Sequence, residues 1–264
     1  MSDFDSRFGG IERLYGQLGI DTFRQAHVAV IGIGGVGSWV AEALARSGIG
    51  EVTLIDQDDI CITNVNRQIH AVTESVGQMK TEVMASRMHT INPECLVHEV
   101  PEFITKDNVA DLLDDSISYV VDAIDSVKDK AAVIAHCRRH KIPVISVGGA
   151  GGQLDPTQIR VQDLSKTIND PLAAKVRSFL RRHYGYSKSG KKFGVECVFS
   201  EEQLRYPQAD GSVCHQRPQE EGATRLDCAG GFGASTAVTA TFGMFAVSRV
   251  LNKLVHRAHL ETDL

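Results

Sequence analysis

No two of the six cysteines (Cys61, Cys95, Cys137, Cys197, Cys214 and Cys228) stand as C-x-x-C. That absence excludes a four-cysteine zinc site and a thioredoxin-type redox pair. Cysteines scattered singly through 264 residues suggest a reducing compartment, so a cytoplasmic location is expected. The first 25 residues carry charges and glycines but no apolar segment, so no signal peptide is read there. Internal repeats and low-complexity tracts are missing. Net charge is −5, which gives no whole-protein attraction to nucleic acid; any such contact must be a local patch. With 42% apolar and 23% charged residues, the composition is that of a globular chain, long enough for one large α/β domain or two small ones.

What is present is organised around Val28 to Gly37, VAVIGIGGVG. Four apolar residues read as a buried strand. Gly32, Gly34 and Gly37 then read as G-x-G-x-x-G, with Gly35 as an additional glycine, and 38–46 as a helix. Strand, glycine turn and helix in that order is the context that points to a nucleotide phosphate, since the turn lets backbone approach it and the helix N-terminus offers N–H groups. The motif does not say which nucleotide.

Further strands are expected at 52–55, 96–100, 119–121 and 143–147, with helices at 75–89, 108–113 and 128–140, and a helical piece around 11–18. Strands alternating with helices imply a Rossmann-like, mostly parallel sheet flanked by helices. Residues 159–162 and 195–199 read as later strands that extend it. Asp170-Pro171 opens a helix as N-cap and first helical residue. Residues 201–229 read as a long loop and 233–255 as an apolar helix. The expected organisation is a single domain over 1–264, with a nucleotide-binding core at 28–150. Residues 151–264 add the sheet extension, a basic arm, the loop and the last helix.

Asp56 lies 19 residues after Gly37 at the end of a strand, where an acid commonly binds a ribose hydroxyl pair, in NAD or in ATP; a turn-forming role is the alternative. The stretch after it, through Asp58, Asn64, Arg67 and Gln68, is dense in polar groups. Such density does not suit a flat apolar nicotinamide pocket; it suits a triphosphate, whose oxygens need cations and whose Mg²⁺ needs carboxylates. Lys80 follows, then Asp122 and Asp125 after the strand at 119–121.

GxGGxG, LIDxDxIxxxNxxRQ, GxxK and VVDxxDS in this order resemble the ubiquitin-activating-enzyme-like adenylyltransferases (ThiF/MoeB type). The resemblance implies Asp56 on the ribose, Asn64, Arg67, Gln68 and Lys80 on the phosphates of ATP, and Asp125 on Mg²⁺. It also implies an N-terminal arginine given by the partner subunit of a homodimer, Arg13 or alternatively Arg7. Lacking paired cysteines, and with RFGGIERLYG at 7–16, the chain is most similar to the branch that cyclises threonylcarbamoyladenosine in tRNA with net loss of water. That branch implies a tRNA substrate and a link to a cysteine-desulfurase system. Adenylation of a ubiquitin-like sulfur carrier, NAD-dependent oxidoreduction and a non-catalytic nucleotide-binding module stand as rival readings. A covalent role is open for Cys197, Cys214 or Cys228, set against plain burial.

Lys175, Arg177, Arg181, Arg182, Lys188, Lys191 and Lys192 fall within 18 residues that contain no acid, with His183, Tyr184 and Tyr186 between them. This is read as a tRNA-binding arm, with Arg177 and Arg181 on one helix face and a mobile tip over 185–194. His136 and His140 have chelating spacing but read as surface groups at a basic helix end, and Trp39 reads as core. Residues 228–248 carry no charge, a length that would span a membrane, but nine of the 21 are Gly, Ser or Thr. Close packing on the sheet or on a twin subunit is expected over membrane contact.

Overall fold

A computed structural model describes residues 2–208, 210–217 and 232–262. Its centre is a seven-stranded sheet. In chain order the strands are β1 (His27–Ile31), β2 (Glu51–Ile55), β3 (Leu96–Val100), β4 (Tyr119–Asp122), β5 (Val144–Val147), β6 (Ile159–Asp163) and β7 (Glu196–Ser200). They lie in the order β3-β2-β1-β4-β5-β7-β6, all parallel except β6, which runs antiparallel to β7. The late strands thus extend the sheet as expected. A separate hairpin pairs β8 (Tyr206–Pro207) with β9 (Val213–Cys214) inside the stretch read as a loop; 218–229 of that stretch lie outside the described residues.

Alternate residues of the buried strands feed two cores, as a sheet covered on both faces requires. Val28, Val30, Val52, Leu54 and Val121 pack under α1 (Asp3–Gln25), α2 (Gly37–Arg46), α3 (Lys80–Ile91) and α7 (Thr236–Thr262). Ala29, Ile31, Ile55, Val120 and Phe199 pack on the other side under α4 (Val109–Leu112), α5 (Val127–His140) and α6 (Pro171–His183). β1 has β2 on one side and β4 on the other, so the chain reverses its winding there. Ile31 registers with Ile55 and with Asp122, so these three strands end level. Ligands of open α/β sheets bind at that switch point.

Three elements differ from the sequence reading by more than one residue at an end. The N-terminal helix is longer than 11–18: Ser2 and Asp5 cap it reciprocally, and it continues across a kink at Gly16, whose φ of 75° suits glycine. The helix expected from 75 begins only at Lys80, because Gly77 takes a φ of 88° and 77–80 instead bond back to 58–60. The C-terminal helix begins later than 233 and runs past 255, over Thr236–Thr262, and Val250, Leu251 and Leu254 carry its buried stripe beyond Arg249. Its glycine serves close packing: a Cβ on Gly243 would lie 3.1 Å from the Val36 carbonyl oxygen and the Trp39 Cβ of α2. No helix among the described residues is long and apolar enough to cross a membrane.

Candidate active site

The turn after β1 is built so that each glycine does something different. Gly32 has a φ of 84°, and a Cβ there would meet Ala123 after β4 at 3.1 Å. A Cβ on Gly37 would sit 1.8 Å from the Gly32 carbonyl oxygen. Both positions therefore demand glycine for the turn itself. At Gly34 the nearest atom to a Cβ is Gln68 Nε2 at 4.0 Å, so this backbone faces open space. Gly35 lies against the Arg67 side chain: a Cβ there would fall 3.2 Å from its Cδ. Val36 is the N-cap of α2 and makes no side-chain cap, and the Ser38 and Trp39 N–H groups already bond the Gly34 and Val36 carbonyls, so the N–H groups open to an anion are those of the turn before Ser38.

Asp56 is tied to this turn. Its Oδ2 accepts from Ile33 N at 2.6 Å and its Oδ1 from Asp58 N at 2.9 Å. Burial pushes its carboxyl up, while the Lys80 ammonium and the two backbone bonds pull it back. Lys80 is buried, with Nζ 2.6 Å from Asp58 Oδ2 and 3.9 Å from Asp56 Oδ1. Asn64 is buried in a 3-10 turn, where its Oδ1 accepts from Cys61 N at 3.0 Å; its amide N–H₂ is the donor left for a ligand. Arg67 donates to the Thr63 carbonyl and to Asn66 Oδ1, and has no carboxylate partner among the described residues. Gln68 is buried with its Oε1 unpartnered. The structure therefore gathers Gly34, Gly35, Asp56, Asp58, Arg67, Gln68 and Lys80 around one cleft edge. An open glycine cradle and a helix start without a side-chain cap fit a nucleotide phosphate; the orphaned Gln68 Oε1 is an acceptor and would need a donor from another part of a ligand.

Two acids follow β4 with opposite fates. Asp122 is fully buried and holds the Lys130 ammonium at 2.8 Å and the Ser146 hydroxyl at 2.9 Å; burial raises its pKa and Lys130 opposes that. It is a fixture of the sheet and is not open to a ligand. Asp125 is exposed and unpaired among the described residues, an oxygen donor of the kind Mg²⁺ takes. Arg13 is exposed on α1; it touches neither the glycine turn nor Arg67 and Lys80 of its own chain, but lies along Gly9 and Gly10. Arg7 is paired with Asp3 at 2.7 Å.

Several residues are not where the sequence puts them. Trp39 is half-buried, and its Nε1 donates to the Arg67 carbonyl at 2.9 Å, so it braces Arg67. Cys197 is not near the late loop; it lies on β7, fully buried, where desolvation drives its thiol pKa far up, so it is no nucleophile. Cys214 is half-buried on β9, and Cys228 lies outside the described residues. His136 is half-buried and bonds the Leu113 carbonyl at 2.9 Å; its ring stacks on His140 at 4.3 Å, so the pair does not converge on a metal. Arg177 and Arg181 do not face solvent together: Arg177 is half-buried and donates to Thr167 Oγ1, while Arg181 donates to the Ser187 carbonyl and lies over the Phe193 ring. Phe193 is buried and Tyr184 and Tyr186 pack on the same core, so 185–194 is an anchored segment and not a loose tip. Lys175, Arg182, Lys188, Lys191 and Lys192 remain exposed.

Sequence reasoning missed Lys130 and His70. A lysine in mid-helix gives no sign of burial; only the Asp122 partner, eight residues back, reveals it. His70 is buried with both ring nitrogens unpartnered, and burial together with Lys80 and Arg87 lowers its pKa to about 4.

The ThiF family profile matches residues 10–262. The chain is 60% identical over 253 residues to a tRNA threonylcarbamoyladenosine dehydratase of Escherichia coli (strain K12), covering 96% of this chain and 94% of that one. It is 55% identical to the enzyme of the same name from Haemophilus influenzae, over 97% of this chain and 96% of the relative. The crystal structure of E. coli tRNA N6-threonylcarbamoyladenosine dehydratase in complex with ATP superposes with a TM-score of 0.87, at 55% identity and 98% coverage of both chains.

Proposed function

Because this chain belongs to the ThiF family, we propose that it uses ATP to activate the carboxylate of threonylcarbamoyladenosine in tRNA and closes the side chain into a ring with net loss of water. The observation that carries the reading is the linked set at the switch point: the glycine turn, Asp56 bonded to its Ile33 N–H, and the buried Lys80 beside Asp56 and Asp58. ATP-bound and AMP-bound E. coli dehydratase structures with this fold support the nucleotide.

The substrate carboxylate attacks the α-phosphorus and pyrophosphate leaves. Arg67 and Lys80, with the N–H groups at Gly34 and Gly35, Asn64 and Gln68, hold the charge that builds up; Asp56 orients the ribose. Asp125 would hold Mg²⁺, which when bound neutralises phosphate charge. The carbamoyl group of the same side chain then attacks the acyl-adenylate, the ring closes and AMP leaves. No protein nucleophile is required. None of these steps transfers sulfur, so a cysteine-desulfurase partner would act outside them. A tRNA substrate places the activity in the cytoplasm.

The site residues are assigned on the family motif, and a C2 homodimer is part of the reading. It is supported by Arg13, free of its own site, beside Leu14, which is 73% exposed on α1, and by exposed Met244 and Phe245 on α7, the helix α1 packs against. Inactive Arg13→Ala chains mixed with inactive Lys80→Ala chains should regain activity; no recovery despite subunit exchange rejects the donation in trans.

Incubation with ATP and labelled pyrophosphate, with and without modified tRNA, tests the function. Exchange that depends on the tRNA is expected. ATP binding without turnover would leave a nucleotide-binding module, and NAD binding without ATP binding an oxidoreductase.

A further inference from the structure

The carboxyl edge of the sheet carries a second feature, on the far side of β4 from the glycine turn. β5 neighbours β4 and ends at Val147, and the chain then turns through Gly148 and Gly149. The Asp170 carboxylate accepts from Gly149 N at 2.9 Å and from Ala173 N at 2.8 Å, so it pins the start of α6 to that turn. Gly148 makes room for it: a Cβ there would fall 1.8 Å from Asp170 Oδ2. Asn169, held at a φ of 53°, bonds the Glu201 carbonyl and brings the segment before β8 alongside. Between these parts lies a cavity of about 350 Å³ lined by Asn169, Asp170, Arg177, Leu204, Tyr206 and His215.

Its chemistry suits a planar, partly polar guest. Leu204 gives an apolar wall and Tyr206 a half-exposed ring. Arg177 brings N–H donors; it is half-buried and has only the Thr167 hydroxyl as a hydrogen-bond partner among the described residues. His215 uses Nδ1 on the Leu204 carbonyl, which fixes a neutral ring as Nδ1–H and leaves Nε2 as an acceptor. Donors, an acceptor, an aromatic face and a volume at the small-molecule end of binding sites, roughly 300–1,000 Å³, are what a single nucleoside needs.

The reaction proposed above needs such a place. A nucleotide in an RNA loop must be turned out so that its threonyl carboxylate meets the α-phosphorus. The cavity lies between α6 and the segment that follows β7, and β7 adjoins β5, so it stands at the same carboxyl edge of the sheet as the nucleotide cleft. The helix α6 that contributes Arg177 to the cavity shows Lys175 and Arg182 on its outer side, where the backbone of a docked RNA would pass.

We propose that this cavity receives the modified adenosine of the tRNA, extruded from its loop, with Tyr206 stacking on the base and Arg177 and His215 reading its polar edge. The inference rests on the tRNA reading. The test compares two RNA stem-loops, one carrying threonylcarbamoyladenosine and one an abasic residue in its place, for binding to wild type, Tyr206→Ala, His215→Ala and Arg177→Met. Wild type should prefer the modified stem-loop by about ten-fold, the scale of one stacked base. Tyr206→Ala, His215→Ala and Arg177→Met should lose that preference, with ATP affinity and affinity for the abasic stem-loop within about two-fold of wild type. Should Arg177→Met fail to fold, the Tyr206 and His215 variants decide alone, since both side chains reach solvent. Folded variants that keep the full preference overturn the proposal, as does a wild type that binds both stem-loops alike while its pyrophosphate exchange requires tRNA. If exchange proceeds without any tRNA, the functional reading itself fails, and this inference with it.

Discussion

The Lys80 ammonium sits 2.6 Å from the Asp58 carboxylate and 3.9 Å from that of Asp56, so the cation assigned to the phosphates is already paired inside the protein. The pairing holds the Lys80 side chain aimed at the switch point, and a triphosphate would take it over by exchange of partners. Lys80→Ala should lower tRNA-dependent pyrophosphate release by at least ~100-fold, since it removes charge stabilisation in the transition state. Asp58→Asn should act mainly on the KM for ATP. Wild-type release by Lys80→Ala would dismiss it from the site.

The buried pair of Asp122 and Lys130 should be costly to break on one side only. Lys130→Met leaves a fully buried carboxylate uncompensated and should destabilise the fold by about 3–5 kcal/mol. Adding Asp122→Asn should restore most of that. Urea unfolding of the two single variants and the double variant measures it, and additive losses would contradict the pairing.

His70 should give the protein an acid-sensitive limb. Its pKa falls from about 6.5 in the unfolded chain to about 4 in the folded one, so the unfolded state binds more protons between those values. The stabilisation is complete above about pH 6.5 and is lost as pH falls through 4, up to about 3 kcal/mol in all. His70→Gln should flatten unfolding free energy against pH over that window. A slope equal to wild type would show that His70 does not cause it.

The basic arm should divide into two classes. Lys188, Lys191, Lys192 and Arg182 are exposed, so their joint change to Ala should weaken tRNA binding and flatten its salt dependence by ~0.7–0.9 log units for each phosphate no longer neutralised. Arg181→Ala should instead lower thermal stability, because it lies over Phe193 and holds the Ser187 carbonyl. An unchanged tRNA affinity and salt slope in the four-residue variant would leave the arm as plain surface.

Local rules made the strands, the glycine turn and its place after β1 legible in the sequence by itself. Alternation and continuous apolar runs depend on which face a residue meets, and Gly32 and Gly37 on backbone conformations that few other residues adopt. Even the late extension of the sheet and the Asp170-Pro171 helix start were readable from short-range pattern. Tertiary structure alone decided which charged side chains are free. Arg177 and Lys191 look alike along the chain, yet one ends beside Thr167 and the other in solvent, because α6 must bury Val176 and Leu180 against the sheet. Lys130 became an interior cation, Cys197 an inert thiol and Trp39 a brace for Arg67 through partners 8 to 28 residues away or across strands. Periodicity says which way a residue points; it does not say what stands opposite, and for a polar side chain that neighbour determines its chemistry.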